Sequence, residues 1–171
     1  MPDGLYERDA LAWSEHQADL LRRLAAGERL NEPVDWPNVI EEVQDVGLSE
    51  LRACQSLLRQ ALVHLLKLHA WPGSTAAAHW RSEVIGFRAD ARDRFAPSMR
   101  QRISLDEIYR VALEQVQAGT DNSGEPRSMP ATCPFAVDDL LSLDADVQIL
   151  VQKLGPPEPL SLPAKPNKPL R

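Results

Sequence analysis

Tyr6, Ala10, Trp13, Gln17, Leu20 and Leu24 recur at alternating steps of four and three, a spacing that gathers side chains on one face of an α-helix. The segment from about Asp9 to Ala26 therefore reads as a first helix, stopped by Gly27. A polar loop follows. Asp35 then offers a carboxylate to the free amides of a new turn, and Pro37 sits where its missing N–H costs nothing. This second helix runs to about Val46, with Trp36, Ile40 and Val43 expected inward. Gly47 interrupts the pattern. The segment Ser49 to Trp71 is the most apolar of the chain, with Leu51, Cys54, Leu57, Leu58, Leu62, Leu65 and Leu68 over a wide arc. Such a helix belongs at the centre of a bundle. Its inward register continues that of the segment before Gly47, so 35–71 reads equally as one kinked helix or as two.

Trp71-Pro72-Gly73 ends that run. Ser74 or Thr75 is placed to cap the next helix, whose inner stripe is Ala77, Trp80, Val84, Phe87 and Ala91. After the break at Ala96-Pro97-Ser98, Ser104 and Glu107 have capping-box spacing and open a helix to about Ala118. Residues 119–134 read as a turn-rich loop and Val137 to Ser142 as a short helix. Val147 to Leu154 is either a short helix or a strand-like segment. Six prolines among the last sixteen residues make an extended tail from Pro156. The expected fold is all-α: an antiparallel helical bundle with a four-helix core at about 7–118 and small C-terminal helical additions. Its core anchors are Trp13, Trp36, Leu58, Leu62, Leu65, Trp80 and Phe87. The domain reading is a helical domain at 1–143 and a C-terminal extension at 144–171.

Composition narrows the class. Hydrophobic residues make up 43% and charged residues 26% of 171 residues, the mix of a globular protein. A net charge of −6 opposes nucleic-acid binding. The start, Met1-Pro2-Asp3-Gly4, lacks a basic and apolar leader pattern, and Ala61 to Ala70 is too short and too charged to span a bilayer. Cys54 and Cys133 form no metal-binding or redox pair. A cytoplasmic protein without membrane or nucleic-acid partners is expected.

The charge is uneven. Glu28 to Glu50 holds seven acids (Glu28, Glu32, Asp35, Glu41, Glu42, Asp45, Glu50) against Arg29 alone. Arg81, Arg88, Arg92, Arg94, Arg100 and Arg102 face only Glu83, Asp90 and Asp93. An acidic and a basic helix in one bundle are expected side by side, with Glu41 or Glu42 gripped by Arg81, Arg88 or Arg92 through the planar guanidinium fork.

Tyr6-Glu7-Arg8-Asp9 with Trp13 and Gln17, Asp35-Trp36, Glu41-Glu42-Val43, Gly47, Ser49-Glu50, His64-Leu65-Leu66-Lys67, Trp80-Arg81, Ala96-Pro97-Ser98-Met99 and Cys133-Pro134-Phe135 with Leu140-Leu141 stand in order along the chain. In that order and spacing they resemble a bacterial family known as domain of unknown function twenty-nine, over about residues 5–143. His79 stands where a small residue is usual in that family, and Phe135 where tryptophan is common. The resemblance implies a helical domain of bacterial origin and supplies no activity.

Candidate chemistry is sparse. Glu42, Glu50 and His64 are the candidates for a metal-dependent or acid–base site, since carboxylates and histidine on adjacent helices are the usual donors in helical bundles. Glu41 and Glu42 point about 100° apart, however, and the Glu-x-x-His signature is absent. His79 and Glu83, four apart, have two-ligand spacing only. Phosphate loops, nucleotide fingerprints and nucleophile elbows are missing. The tail's Pro-x-x-Pro spacings, at Pro156, Pro159, Pro163, Pro166 and Pro169, suit either an aromatic-groove ligand or a plain extended segment. The leading expectation is a helical protein–protein interaction module or homodimer, with no cofactor or metal; the alternative is an enzyme using Glu42, Glu50 and His64.

Overall fold

The computed structural model describes residues 4–119, 124–142 and 144–155, and among these it is all-helical. The helices are α1 (Leu5–Arg8), α2 (Ala10–Ala25), α3 (Trp36–Ala70), α4 (Ala77–Arg94), α5 (Leu105–Ala118), α6 (Val137–Leu141) and α7 (Val147–Lys153), with a 3-10 turn at Pro97–Met99. The Pro-x-x-Pro tail lies outside the described residues. By its contacts the chain divides into two compact units, Met1–Glu50 and Leu51–Arg171.

Unit 1 is built on α1, α2 and the first part of α3. Asp9 is the N-cap of α2, its carboxylate accepting the Ala12 amide at 2.9 Å. Gly27 stops the helix with φ +83°, the left-handed conformation that closes a C-terminus without a Cβ clash. Trp13, Gln17 and Leu20 of α2 are buried, as is Val34 of the following loop.

α3 is one continuous 35-residue helix that carries Gly47 within it. Its second part is the heart of unit 2. Cys54, Leu58, Ala61, Leu62, Leu65 and Leu66 are fully buried there with Val84 of α4, Ala112 of α5 and Leu140 of α6. The segment Val147–Lys153 is helical, and its Val147 and Leu150 join this core together with Leu154. Two caps differ from expectation. Ser104 occupies the N-cap of α5 without a side-chain capping bond. The N-cap of α4 is Ala76, whose amide donates to the Ser74 hydroxyl at 3.1 Å. Residues 124–130 are tied down by side chains from elsewhere in unit 2: Trp71 Nε1 donates to the Gly124 carbonyl, His69 Nε2 to that of Ser128 and the Tyr109 hydroxyl to that of Pro130.

Candidate functional site

In unit 1, residues carrying the family resemblance meet in one polar network. The Trp13 indole N–H donates to Asp35 Oδ2 at 3.1 Å, and the Asp35 amide donates to the Gln17 side-chain oxygen at 2.9 Å. Asn38 adds a second hydrogen bond to Asp35, which with the Trp13 bond holds that carboxyl below its usual range. Tyr6 packs edge-on against Trp13 and donates its hydroxyl to Glu42 at 2.7 Å. That bond to a carboxylate pushes the phenol up to about 12. The network fastens the start of α3 onto α1 and α2. A cavity of about 330 Å³ opens beside them, walled by Tyr6, Glu7, Trp13, Asp35 and Asn38.

Above this anchor, α3 presents an apolar face to solvent. Trp36, Ile40, Val43 and Val46 retain 51%, 53%, 70% and 68% of their accessible surface. Spacings of four, three and three put them in one stripe. The inward placement expected for Trp36, Ile40 and Val43 is thus corrected, and Trp36 is not a core anchor. A periodic apolar pattern establishes that a helix has a greasy face but does not say what covers it. Val46 adds to the stripe at a position that sequence reading left unused, although its three-residue step from Val43 marked it.

Of the predicted enzyme residues, Glu42 and Glu50 lie in unit 1 and His64 in unit 2. Glu42 serves the Tyr6 hydroxyl, and Glu50 lies on the exposed part of α3. His64 belongs to unit 2, half-buried, stacked on Phe87 with ring centroids 5.7 Å apart and edge-on to His79 at 6.5 Å. Phe87 is only half-buried there, whereas Trp13, Leu58, Leu62, Leu65 and Trp80 are buried. Burial holds His64 below its ordinary pKa, with Lys67 and His79 acting in the same direction and Glu83 against them. Among the described residues, no group of three or more His, Cys, Asp or Glu is placed to hold a metal ion.

The glutamates of the expected grip, Glu41 and Glu42, belong to unit 1, where Glu42 accepts the Tyr6 hydroxyl, and Arg81, Arg88 and Arg92 belong to unit 2. Within unit 2, Arg88 is buried and donates to three carbonyls, those of Leu140, Ala145 and Ser142. Arg81 reaches Gln148 at 3.4 Å, and Arg92 lies 3.5 Å from its neighbour Asp93. Charge counts along a sequence register an imbalance, but the guanidinium fork bonds whichever acceptors the turn after α6 brings to it. These arginines border a cleft of about 380 Å³ whose walls include Ile85, Leu141, Asp146 and Val147. Arg88, its deepest cation, is committed to the backbone, so the cleft is first of all a brace for α6 and α7.

No helix among the described residues is long and apolar enough to cross a membrane. No curated protein matches the chain. A crystal structure of an alpha-helical protein of unknown function from Rhodospirillum rubrum is 34% identical; the match covers 88% of this chain and 98% of that one, with a TM-score of 0.68. The sequence profile of the domain of unknown function DUF29 matches residues 5–145. With most of its length under that profile, the chain belongs to the DUF29 family.

Proposed function

We propose that this protein is a helical protein-interaction module whose contact face is the exposed stripe of α3. The observation that carries this reading is the set Trp36, Ile40, Val43 and Val46, four large apolar side chains on one side of a helix, each more than half exposed. Single exposed hydrophobics are ordinary on a protein surface, whereas contiguous ones mark sites of association. The Trp13–Asp35–Gln17 network holds the helix start, so the stripe is presented on a defined element. The bacterial and cytoplasmic reading rests on the bacterial structural relative and on the two unpaired thiols.

Site-specific photocrosslinking tests the contact face. A photoreactive side chain at Val43 should give a discrete protein adduct in cells, and the same group at Glu41, on the far side of the helix, should not. Equal labelling from both positions, or none from Val43, would overturn the reading. The enzyme alternative on Glu42, Glu50 and His64 gains no support from the geometry, since Glu42 is committed to Tyr6 and His64 is packed among rings.

A further inference from the structure

We propose that unit 2 carries a binding site for a small-molecule phosphate monoester, separate from the stripe on α3. The site is a cavity of about 340 Å³ at the end of α3, bordered by α4, α7 and the segment before Met129. That volume lies within the range of small-ligand pockets. Leu68, Ala77 and Val151 form an apolar side, and the charged walls are Arg81 and Arg127. No aspartate or glutamate among the described residues lines it.

The charge there runs against the rest of the chain, which has 25 acidic residues to 19 lysines and arginines. Elsewhere in unit 2, Arg100 takes up Asp138 and Arg110 takes up Glu114. Among the described residues of that unit, no carboxylate pairs with Arg81 or Arg127. Arg81 reaches Gln148 Oε1 at 3.4 Å. A glutamate at that place would cancel the guanidinium charge; the neutral amide leaves it standing. Arg127 is presented from a pinned segment. Its amide donates to the Ala70 carbonyl at 3.0 Å, while Trp71 and the buried His69 hold the carbonyls of Gly124 and Ser128. Prior ordering of this kind lowers the cost of binding. Two positive charges with no negative one call for a dianion. A phosphate monoester carries about −1.5 to −2 near neutral pH, more than a carboxylate, and its oxygens match the guanidinium fork. Gln152, one turn beyond Gln148 on α7, adds a neutral donor at the same wall. The apolar side receives the carbon body of the ligand.

Phenyl phosphate is the probe, titrated into the isotope-labelled full chain and followed by the NMR shifts of backbone amides. Arg127, Ser128 and α7 should shift saturably with a Kd of about 1 mM or tighter. Benzoate, which keeps the ring and carries one charge, should bind about tenfold more weakly. Arg81→Gln and Arg127→Gln should each weaken phenyl phosphate about tenfold, the worth of a charge-assisted hydrogen bond. Arg110→Gln, at an arginine already paired with Glu114, should leave the affinity unchanged. Circular dichroism should show the same helix content in all three variants. Absence of a saturable shift would overturn the site, and so would an affinity that Arg81→Gln and Arg127→Gln leave intact. Equal affinity for benzoate would overturn the dianion. A phosphoserine peptide binding more than about tenfold tighter than phenyl phosphate would overturn the small molecule and assign the phosphate to a protein partner.

Discussion

Trp80 and His64 show how much a side chain's surroundings decide. Trp80 is 8% exposed, its ring 6.4 Å from that of Trp71, with the Lys67 ammonium 5.8 Å from its centroid. Trp80→Ala leaves a cavity and removes the ring beneath that ammonium, so urea unfolding should show a loss of about 3–5 kcal/mol. A variant as stable as the parent would mean that the indole is not packed. His64 makes a prediction about acidity. Its folded-state pKa lies below the unfolded value of about 6.5, so in that window the unfolded chain binds the proton that the folded one refuses. Stability should therefore fall as pH drops below about 6.5 and level off only beneath the folded pKa. The groups facing His64 are Lys67 on its own helix and His79, Glu83 and Phe87 on α4. Of the charged ones, only Glu83 favours the imidazolium. His64→Phe should flatten the pH dependence of the unfolding midpoint in this range; an unchanged slope would assign it to other groups.

At the scale of elements, α3 separates what its sequence could say from what it could not. Leu58, Leu62 and Leu65 read correctly as apolar positions of a helix, and they are fully buried. Trp36, Ile40 and Val43 obey the same period and are exposed. Periodicity reports one face of one helix, whereas burial depends on neighbours whose placement is non-local. The ends of α2 were legible because Asp9 and Gly27 act through their own backbone. The Arg88 bonds were not, because their acceptors are carbonyls, which every residue carries and no sequence pattern marks. Gly47 gave an equivocal signal, a helix break or a tolerated interior glycine. It lies inside a continuous helix with open space around it. Gly47→Ala should therefore stabilise the protein by roughly 0.5–1 kcal/mol, by lowering the entropy lost on folding. Thermal melts followed by circular dichroism would show it, and a fall in melting temperature would imply a local bend that alanine cannot adopt.

At the scale of the whole molecule, the two units differ in how much apolar surface holds each together. The core cluster runs from Leu51 to Leu154 and lies wholly in unit 2. Unit 1 buries Trp13, Leu20 and Val34 with the polar Gln17, and relies on hydrogen bonds to Asp35 for much of its order. Segments with few buried apolar contacts open without global unfolding. Hydrogen exchange should thus give amides of α2 an opening free energy at least about 2 kcal/mol below that of Leu51–Ala70. Trp13→Ala should strip protection from α2, because it removes both a buried ring and the Asp35 bond, and leave Leu51–Ala70 protected. Equal loss in the two regions would show that they unfold as one. The stretch from Ile40 to Gly47 is the sharpest case, since every side chain in it is exposed and a helix without packing is marginal in water. Its amides should exchange fastest within α3 in the isolated protein. Protection there equal to that of Leu51–Ala70 would show that the stretch is held by packing despite its exposure.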